Sequence, residues 1–200
     1  LTYSEKKGKW ECDVGKVIAG TNVASNVLIA AKIDRLGNDV QDILKFASSL
    51  GFVFHLEHLR VVVVSEHEHL TGKKRLPGMK APMPQKVLDA QYREVLIKLL
   101  DKAQKYGIIS DGRRQGTFSF SHDKVFEAVY ASLPTGLERK QLHVRIGTLL
   151  LEAFPKDEFV TFLAVDHLNQ GAESVISLPE RLKLAKLNLS VAKLSIKEYS

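Results

Sequence analysis

The sequence predicts a mainly α-helical protein that carries one β-hairpin near its middle. Apolar residues recur at intervals of three and four over most of the 200 residues, which is the period of an amphipathic helix. Prolines and glycines divide these stretches into segments of helix length. Between residues 107 and 120, two short apolar runs flank a turn that holds Gly112 and Gly116. Glycines in such a turn favour a β-hairpin.

The composition excludes several classes of protein. The apolar fraction of 44% is ordinary for a globular fold, and the lone Cys12 excludes an internal disulfide framework. The longest apolar stretch, Leu59 to Val64, is too short to span a bilayer, and no signal peptide is visible. We therefore expect a cytoplasmic protein without a membrane partner. The net charge of +6 is modest for this length and indicates a solvated surface.

The region before the hairpin predicts helices interrupted by one long loop. Residues 1–22 show little periodicity, and helical spacing begins after residue 21. Asn38 is predicted to cap a second helix, with Gln41 completing a capping box and Gly51 ending the helix. The apolar residues 56–64 are expected to be buried. Residues 65–86 hold three prolines, two glycines and a Lys-Lys-Arg run, and so predict an exposed loop.

From residue 87 onward the pattern is helical except for the hairpin. A helix is predicted over 87–106, ending at Gly107. After the hairpin, Ser121 is a natural N-cap for a helix that stops at Pro134. Further helices are predicted from Thr135, which forms a capping box with Glu138, from about residue 159, and from residue 177.

This order of elements indicates a winged-helix domain followed by stacked helical hairpins. Helices, a long helix, a hairpin and a closing helix follow one another over residues 23–134. The remaining residues, 135–200, predict only helices joined by short turns, as in the start of a TPR-like array. We expect residues 1–22 to end a preceding helical or ATPase subdomain and residues 65–86 to be an inserted loop. Since the chain starts at Leu1 and stops within a helical pattern, we expect it to be part of a longer protein.

Sequence motifs for catalysis are absent from this chain. It contains no G-x-x-x-x-G-K-[ST] loop, no G-x-G-x-x-G and no G-x-S-x-G, so we do not expect it to be catalytic by itself. Four histidines, at positions 55, 58, 67 and 69, are a possible zinc set. No second cluster of ligands accompanies them, and we expect packed or solvated histidines and no metal.

Two arginines at the predicted wing tip raise the question of DNA binding. Arg113 and Arg114 stand where winged helices often contact the DNA backbone, and Lys73-Lys74-Arg75 would add to such a surface. The predicted helix 87–106, however, mixes acidic with basic side chains. That mixture argues against a surface that follows phosphates, and nucleic acid is not the partner that we expect.

Ser121-His122-Asp123 is the remaining candidate, at the joint between the hairpin and the next helix. One interpretation is structural, with Ser121 or Asp123 as a helix cap and His122 as a surface residue. The other is functional, because the first turn of a helix offers free N–H groups and the positive end of its dipole. His122 would then donate to a phosphate oxygen, while Asp123 holds the loop. The residues by themselves leave both interpretations open.

The segments "FSFSHDKVFEAVYASLP" and "RKQLHVRIGTLLL" resemble a stretch of STAND-type ATPases, which are relatives of the AAA+ class and include the Orc1-like domains. The likeness is greatest to multidomain signalling proteins that join a serine/threonine kinase-like domain, this ATPase, and a sensor histidine kinase or cyclase. Their pattern resembles F-x-H-D-[RK]-V-x-x-A-x-Y, followed by a helix with L-H-x-x-I-G-x-x-L-L. "GKWECDVGKV", "VDHLNQG" and "PERLKLAKLNLSVAKLS" extend the resemblance over nearly the whole chain outside residues 65–86.

The resemblance implies a role in nucleotide sensing. The same histidine-aspartate pair is found in the M-H-D motif of plant resistance proteins and the apoptosome ATPase, where the histidine contacts the β-phosphate of ADP. If these roles apply to this chain, His122 would sense ADP or ATP and Asp123 would position His122. Ser121 replaces the usual methionine of the motif. The Walker motifs, with Mg²⁺, would belong to an upstream domain before Leu1, and the helical array would address downstream effector domains or protein partners. A winged-helix DNA-binding module and a passive interaction scaffold remain as alternatives.

Overall fold

The computed structural model describes residues 2–4, 9–11, 28–71, 76, 85–175 and 177–198. These residues are mostly helical, with a small three-stranded antiparallel sheet. The predicted mainly α-helical class with a β-hairpin is thereby confirmed. Several predictions lie outside the described residues: Cys12, the helix start after residue 21, and the Lys-Lys-Arg run at 73–75.

The elements follow one another in a simple order. Near the start, β1 (Thr2–Ser4) pairs with β2 (Lys9–Glu11). The helices are α1 (28–34), α2 (Asn38–Leu50), α3 (Leu56–Thr71), α4 (Gln85–Lys105), α5 (Asp123–Ala131), α6 (Gly136–Ala153), α7 (Glu158–Gln170) and α8 (Leu178–Glu198). A single 3₁₀ turn, Ala172–Ser174, separates α7 from α8. The predicted helices after residue 86 are all present.

The three-stranded sheet joins the hairpin to a strand that the sequence did not predict. Its strands are β3 (Val53–His55), β4 (Ile109–Asp111) and β5 (Thr117–Phe120). β5 lies in the centre and is antiparallel to both neighbours. The β4–β5 hairpin was predicted, whereas β3 is too short to show an alternating pattern. Its extended conformation depends on hydrogen bonds with β5, more than sixty residues later in the chain.

The predicted exposed loop at 65–86 begins too early. Helix α3 continues to Thr71, and Glu66 and His67 on it are buried. Their burial is stabilised by partners distant in the sequence, since Arg145 of α6 donates to the Glu66 carboxylate at 2.8 Å. Leu76 is also buried, so the predicted exposure is wrong there as well.

The start of α2 differs from the predicted capping box. Gly37 is the N-cap, without a side-chain hydrogen bond, and Asn38 is already helical. The Gln41 amide instead donates to the carbonyl oxygens of Ile33 and Leu36. These two bonds hold the short connection between α1 and α2, which is a contact that the local capping pattern could not reveal.

One hydrophobic core runs through both predicted halves of the chain. Leu44 and Leu96 belong to the same buried cluster as Leu142 and Ile146. Helices α6 and α7 approach closely at Gly147, where an added Cβ would lie 2.7 Å from the carbonyl oxygen of Ala164. The helical region is therefore packed directly on the sheet-bearing region through α3 and α6. Within the described residues, no helix has the length and apolarity needed to cross a bilayer.

Candidate functional site

The Ser121-His122-Asp123 segment lies at one end of the sheet, where the chain leaves β5 and enters α5. All three residues are exposed. The backbone beneath them is fixed by two hydrogen bonds: Phe120 N–H donates to Phe52 O, and Ser121 N–H donates to Ile108 O, each at 3.0 Å. The position of the segment is thus set by the ends of the three strands and not by its own side chains.

His122, and not the predicted Ser121, is the N-cap of α5. Its backbone is extended, with φ −158° and ψ 144°, and its Nδ1 accepts the backbone N–H of Lys124 at 3.1 Å. An imidazole nitrogen can replace the usual hydroxyl or carboxylate oxygen here because it too is an acceptor that reaches two residues ahead. One free N–H of the first turn is thereby satisfied.

The cap bond determines what the other ring nitrogen can do. Since Nδ1 accepts a hydrogen bond, a neutral His122 ring carries its proton on Nε2. Nε2 has no hydrogen-bond partner among the described residues. The ring therefore presents an N–H donor on an exposed surface, beside the positive end of the α5 dipole. This combination suits an anionic oxygen supplied from outside the described part of the chain.

The neighbouring side chains are arranged along the first turn of α5. Asp123 is the first helical residue, and its carboxylate stands where a negative charge is favoured by the helix dipole. No hydrogen bond joins it to His122 within the described residues. Lys124 pairs with Glu127 at 2.7 Å. Asp123 thus favours the helix start that holds His122, and its positioning role toward a nucleotide stays a prediction.

The two arginines of the predicted wing tip lie at the other end of the sheet. Arg113 and Arg114 are exposed on the β4–β5 turn, which is closed by the Thr117 hydroxyl donating to Arg114 O at 2.5 Å. β5 runs from this turn to the site, so that Thr117 adjoins the turn and Phe120 adjoins the site. The structure thus brings His122 and Asp123 together but separates them from the arginines by the length of the strand.

Arg93 and Lys98, two of the basic side chains of α4, form ion pairs, whereas Lys102 and Lys105 near its end are exposed. Arg93 donates to Glu57 of α3 at 2.8 Å, and Lys98 pairs with Glu94 at 2.6 Å. Glu57 also accepts from Arg60. Burial alone would raise the pKa of Glu57, but the hydrogen bonds and charges of the two arginines outweigh it and lower that pKa. These pairs leave less free positive charge on α4 than its sequence suggests.

A buried chain of hydrogen bonds connects α5, α6 and α7. Tyr130 Oη lies 3.0 Å from His143 Nε2, and His143 Nδ1 lies 2.9 Å from His167 Nδ1. Burial lowers the pKa of both histidines, that of His167 to about 4. His167 Nε2 is buried without a hydrogen-bond partner among the described residues. No sequence pattern predicted this pairing, because the two histidines are 24 residues apart.

The clustered histidines before residue 70 are distributed along α3 and its start. The His55 and His58 rings lie 5.1 Å apart, and His58 also contacts Phe154. His67 stacks on Phe46 in the core, which corrects its predicted position on a loop. The side chain of the fourth, His69, lies outside the described residues. No group of three or more metal-binding side chains occurs in the described ranges.

A groove of about 440 Å³ lies at the other end of α5 from His122. It is lined by residues of α2 and of the turn between α5 and α6, including Lys45, Pro134 and Thr135. None of the predicted site residues contributes to it. The candidate site is accordingly an exposed helix start and not a cavity.

Comparison with known protein families, with curated proteins and with solved structures finds no match for this chain. The function is therefore inferred from the chain's own residues and from the motifs that they form.

Proposed function

We propose that this chain is the regulatory winged-helix and helical-arm part of a STAND/AAA+ ATPase signalling protein, in which His122 senses bound ADP or ATP. The observation that carries the proposal is the state of the His122 ring. One nitrogen is occupied by capping α5, and the other is an exposed donor without a partner among the described residues. Capping occupies the first nitrogen, whereas the second is accessible and can donate to a ligand.

The order of elements supports the winged-helix assignment. Helix α2, strand β3, helices α3 and α4, and the β4–β5 hairpin follow one another in the sequence of a winged helix. The sheet order β3-β5-β4 agrees with it, because the first strand pairs with the last. α6, α7 and α8 then pack as consecutive neighbours, which supports a TPR-like arm.

The motif residues separate into two groups by exposure. Phe120, Val125 and Leu133 are buried, as are Leu142, His143, Ile146, Gly147 and Leu150 of the second segment. Packing explains why a chain with this fold has those residues. His122, Asp123, Lys124 and Ala128 are exposed, so packing does not explain them. Of these, His122 is the one whose side chain has a hydrogen-bond donor without a partner among the described residues.

The proposed mechanism is a contact that depends on the nucleotide. An upstream domain would hold ADP or ATP with Mg²⁺, and the Nε2–H of His122 would donate to a phosphate oxygen. A hydrogen bond to a charged group contributes about 1.5–3 kcal/mol, which changes a closed-to-open ratio by roughly 10- to 150-fold. α5 joins this contact to the arm, because its other end carries Tyr130 in the hydrogen-bond chain to α6 and α7. Effector domains would respond to the movement of that arm.

The DNA-binding alternative is supported by Arg113 and Arg114 on the β4–β5 turn and by Lys102 and Lys105 near the end of α4, all of them exposed. The pairing of Arg93 with Glu57 and of Lys98 with Glu94 weakens it, since a recognition helix needs free donors for base edges and phosphates. A salt-titrated binding assay with duplex DNA separates the two functions. Submicromolar affinity that falls steeply with salt would favour DNA binding.

Nucleotide retention in the complete protein tests the proposal. We expect His122→Ala to accelerate dissociation of a fluorescent ADP analogue by about 10- to 150-fold, with a higher basal output. His122→Asp separates the two roles of the ring, because aspartate is a good N-cap but would repel a phosphate. It should therefore preserve thermal stability and still release ADP rapidly.

His55→Ala is the matched control. His55 caps α3 through the same Nδ1 geometry, at the opposite end of the sheet, and its loss should leave ADP dissociation unchanged. If the His122→Asp protein retained ADP and signalled like the wild type, the sensing role would be refuted. The proposal also requires a Walker A sequence upstream of Leu1 in the natural chain, and its absence there would refute the ATPase assignment.

A further inference from the structure

Helix α8 has two apolar faces, and only one of them is covered by a described element. The inner face packs on α7, with Leu184, Leu187 and Val191 half-buried. Asn188 anchors that side through a pair of amide hydrogen bonds to Asn169 of α7, each 2.9 Å long. The opposite face is open to solvent.

The outer face is a narrow stripe of aliphatic side chains. Leu178, Leu182 and Leu189 are 69%, 54% and 57% exposed. Ala185 and Ala192, also exposed, fill the positions between and after them. The resulting steps of four, three, four and three residues give the spacing with which one helix packs along another. The stripe is about 21 Å long at 1.5 Å per residue.

One border of this stripe is basic. Lys186 and Lys193 are exposed along it, and neither forms an ion pair with another described residue. Arg181 begins the opposite border. No aspartate or glutamate occurs between Glu180 and Glu198. A partner on the stripe would therefore meet uncompensated positive charge along its length.

We propose that the outer face of α8 is a docking surface for an amphipathic helix whose apolar stripe is bordered by carboxylates. The leucines supply the buried contact, and the lysine border selects the charge and register of the partner. This inference goes beyond nucleotide sensing, because it concerns the helix farthest along the chain from His122 and its test needs no nucleotide.

The same features distinguish this partner from two other occupants. A second copy of α8 would bring a basic border against a basic border, which is unfavourable. A membrane surface would require a broader apolar face, commonly with aromatic side chains, whereas this stripe contains only leucine and alanine. The spacing suits one helix, and the charge suits an acidic one.

Two synthetic helical peptides test the proposal with the 200-residue chain. Both have leucine at the steps found in α8 and equal helix content by circular dichroism, but one has a glutamate border and the other a lysine border. By fluorescence anisotropy, we expect the glutamate peptide to bind at least about tenfold more tightly. Leu182→Lys with Leu189→Lys should weaken that binding by about tenfold or more.

Two further variants separate charge from general surface effects. Lys186→Glu with Lys193→Glu should reverse the preference between the peptides and leave the fold intact, because both side chains are exposed. Ser190→Lys adds a charge outside the stripe and should change binding of the glutamate peptide less than about twofold. Equal binding of the two peptides, or a preference unchanged in the charge-reversed variant, would overturn the proposal.

Sedimentation identifies the other occupants. Self-association of the chain that Leu182→Lys with Leu189→Lys abolishes would mean that a second copy covers this face. Binding to vesicles of anionic lipid without binding to either peptide would assign the face to a membrane. Either result contradicts the proposal, whereas a monomer that binds the glutamate peptide and not the vesicles supports it.

Discussion

His55 and His122 perform the same structural task at opposite ends of one sheet. Each follows a strand, and each caps the next helix by accepting the N–H two residues ahead on Nδ1, at 3.2 Å for His55 and 3.1 Å for His122. The strands β3 and β5 are antiparallel, so the two helix starts lie at opposite ends of the sheet. Local geometry alone does not distinguish the two histidines.

Their surroundings distinguish them. The His55 ring is half-buried beside His58 and faces Gly116 of the β4–β5 turn. His122 is exposed, and its second nitrogen makes no described contact. A capping histidine is therefore a candidate for binding only when the surrounding fold leaves its other nitrogen accessible. The following predictions test how far the two ends of the sheet differ.

The largest loss of stability is expected from lowering the pH. It should arise at two buried histidines: His58, beside His55, and His167 of α7. Burial, and then the charge of a neighbouring histidine, lowers the pKa of His58 and of His167 from 6.5 to about 4. The unfolded chain binds protons below pH 6.5 while the folded chain does not, so stability is complete above 6.5 and declines toward pH 4. Together the two sites should cost about 3 kcal/mol or more over that range.

Urea unfolding at pH 7.5, 6, 5 and 4 measures this loss, and His58→Phe is the informative variant. Phenylalanine keeps a ring against Phe154 but cannot bind a proton, so the variant should lose about 1–2 kcal/mol less than the wild type. Identical pH dependence in the two proteins would show that His58 is not titrating as its burial implies.

An intermediate loss of stability is expected when the glycines beside the two histidines are replaced by alanine. Gly116, next to His55, has φ +76°, and an added Cβ would lie 3.0 Å from His55 Nε2. Gly107, at the His122 end, has φ +67° with open space around it. Gly116→Ala should therefore cost about 2 kcal/mol and Gly107→Ala about 1 kcal/mol. Equal losses in thermal unfolding would mean that the His55 ring moves aside freely.

The smallest effect is expected from the caps themselves. His122→Ala should reduce the free energy of unfolding by about 0.5–1 kcal/mol, and His122→Asn by less, because asparagine also caps helices. At the other end of the sheet, His55→Asn should be as unstable as His55→Ala, because both variants lose the ring contact with His58. Chemical denaturation of the four variants checks this. If asparagine restored the free energy of unfolding at both positions, His55 and His122 would not differ in what they contribute to stability.

Local patterns in the sequence predicted the elements well. Helical spacing and the glycine-containing turn anticipated α4 through α8 and the β4–β5 hairpin, because those signals act between residues close in the chain. The placement of His122 at a strand-to-helix joint was visible for the same reason. The identity of the cap was not, since Ser121 and His122 are both able to accept the N–H and the backbone direction after β5 decided between them.

Contacts between distant segments account for the elements that local sequence patterns did not predict. β3 is extended because β5 pairs with it, and residues 65–71 are helical and partly buried because α6 packs there, with Arg145 pairing with Glu66 from 79 residues away. Local signals were sufficient for α4 to α8 and for the histidine that stands before α5. The burial of His58, His67, His143 and His167, and the exposure of His122, depend on how the elements pack together, because packing brings in neighbours that sequence distance does not reveal.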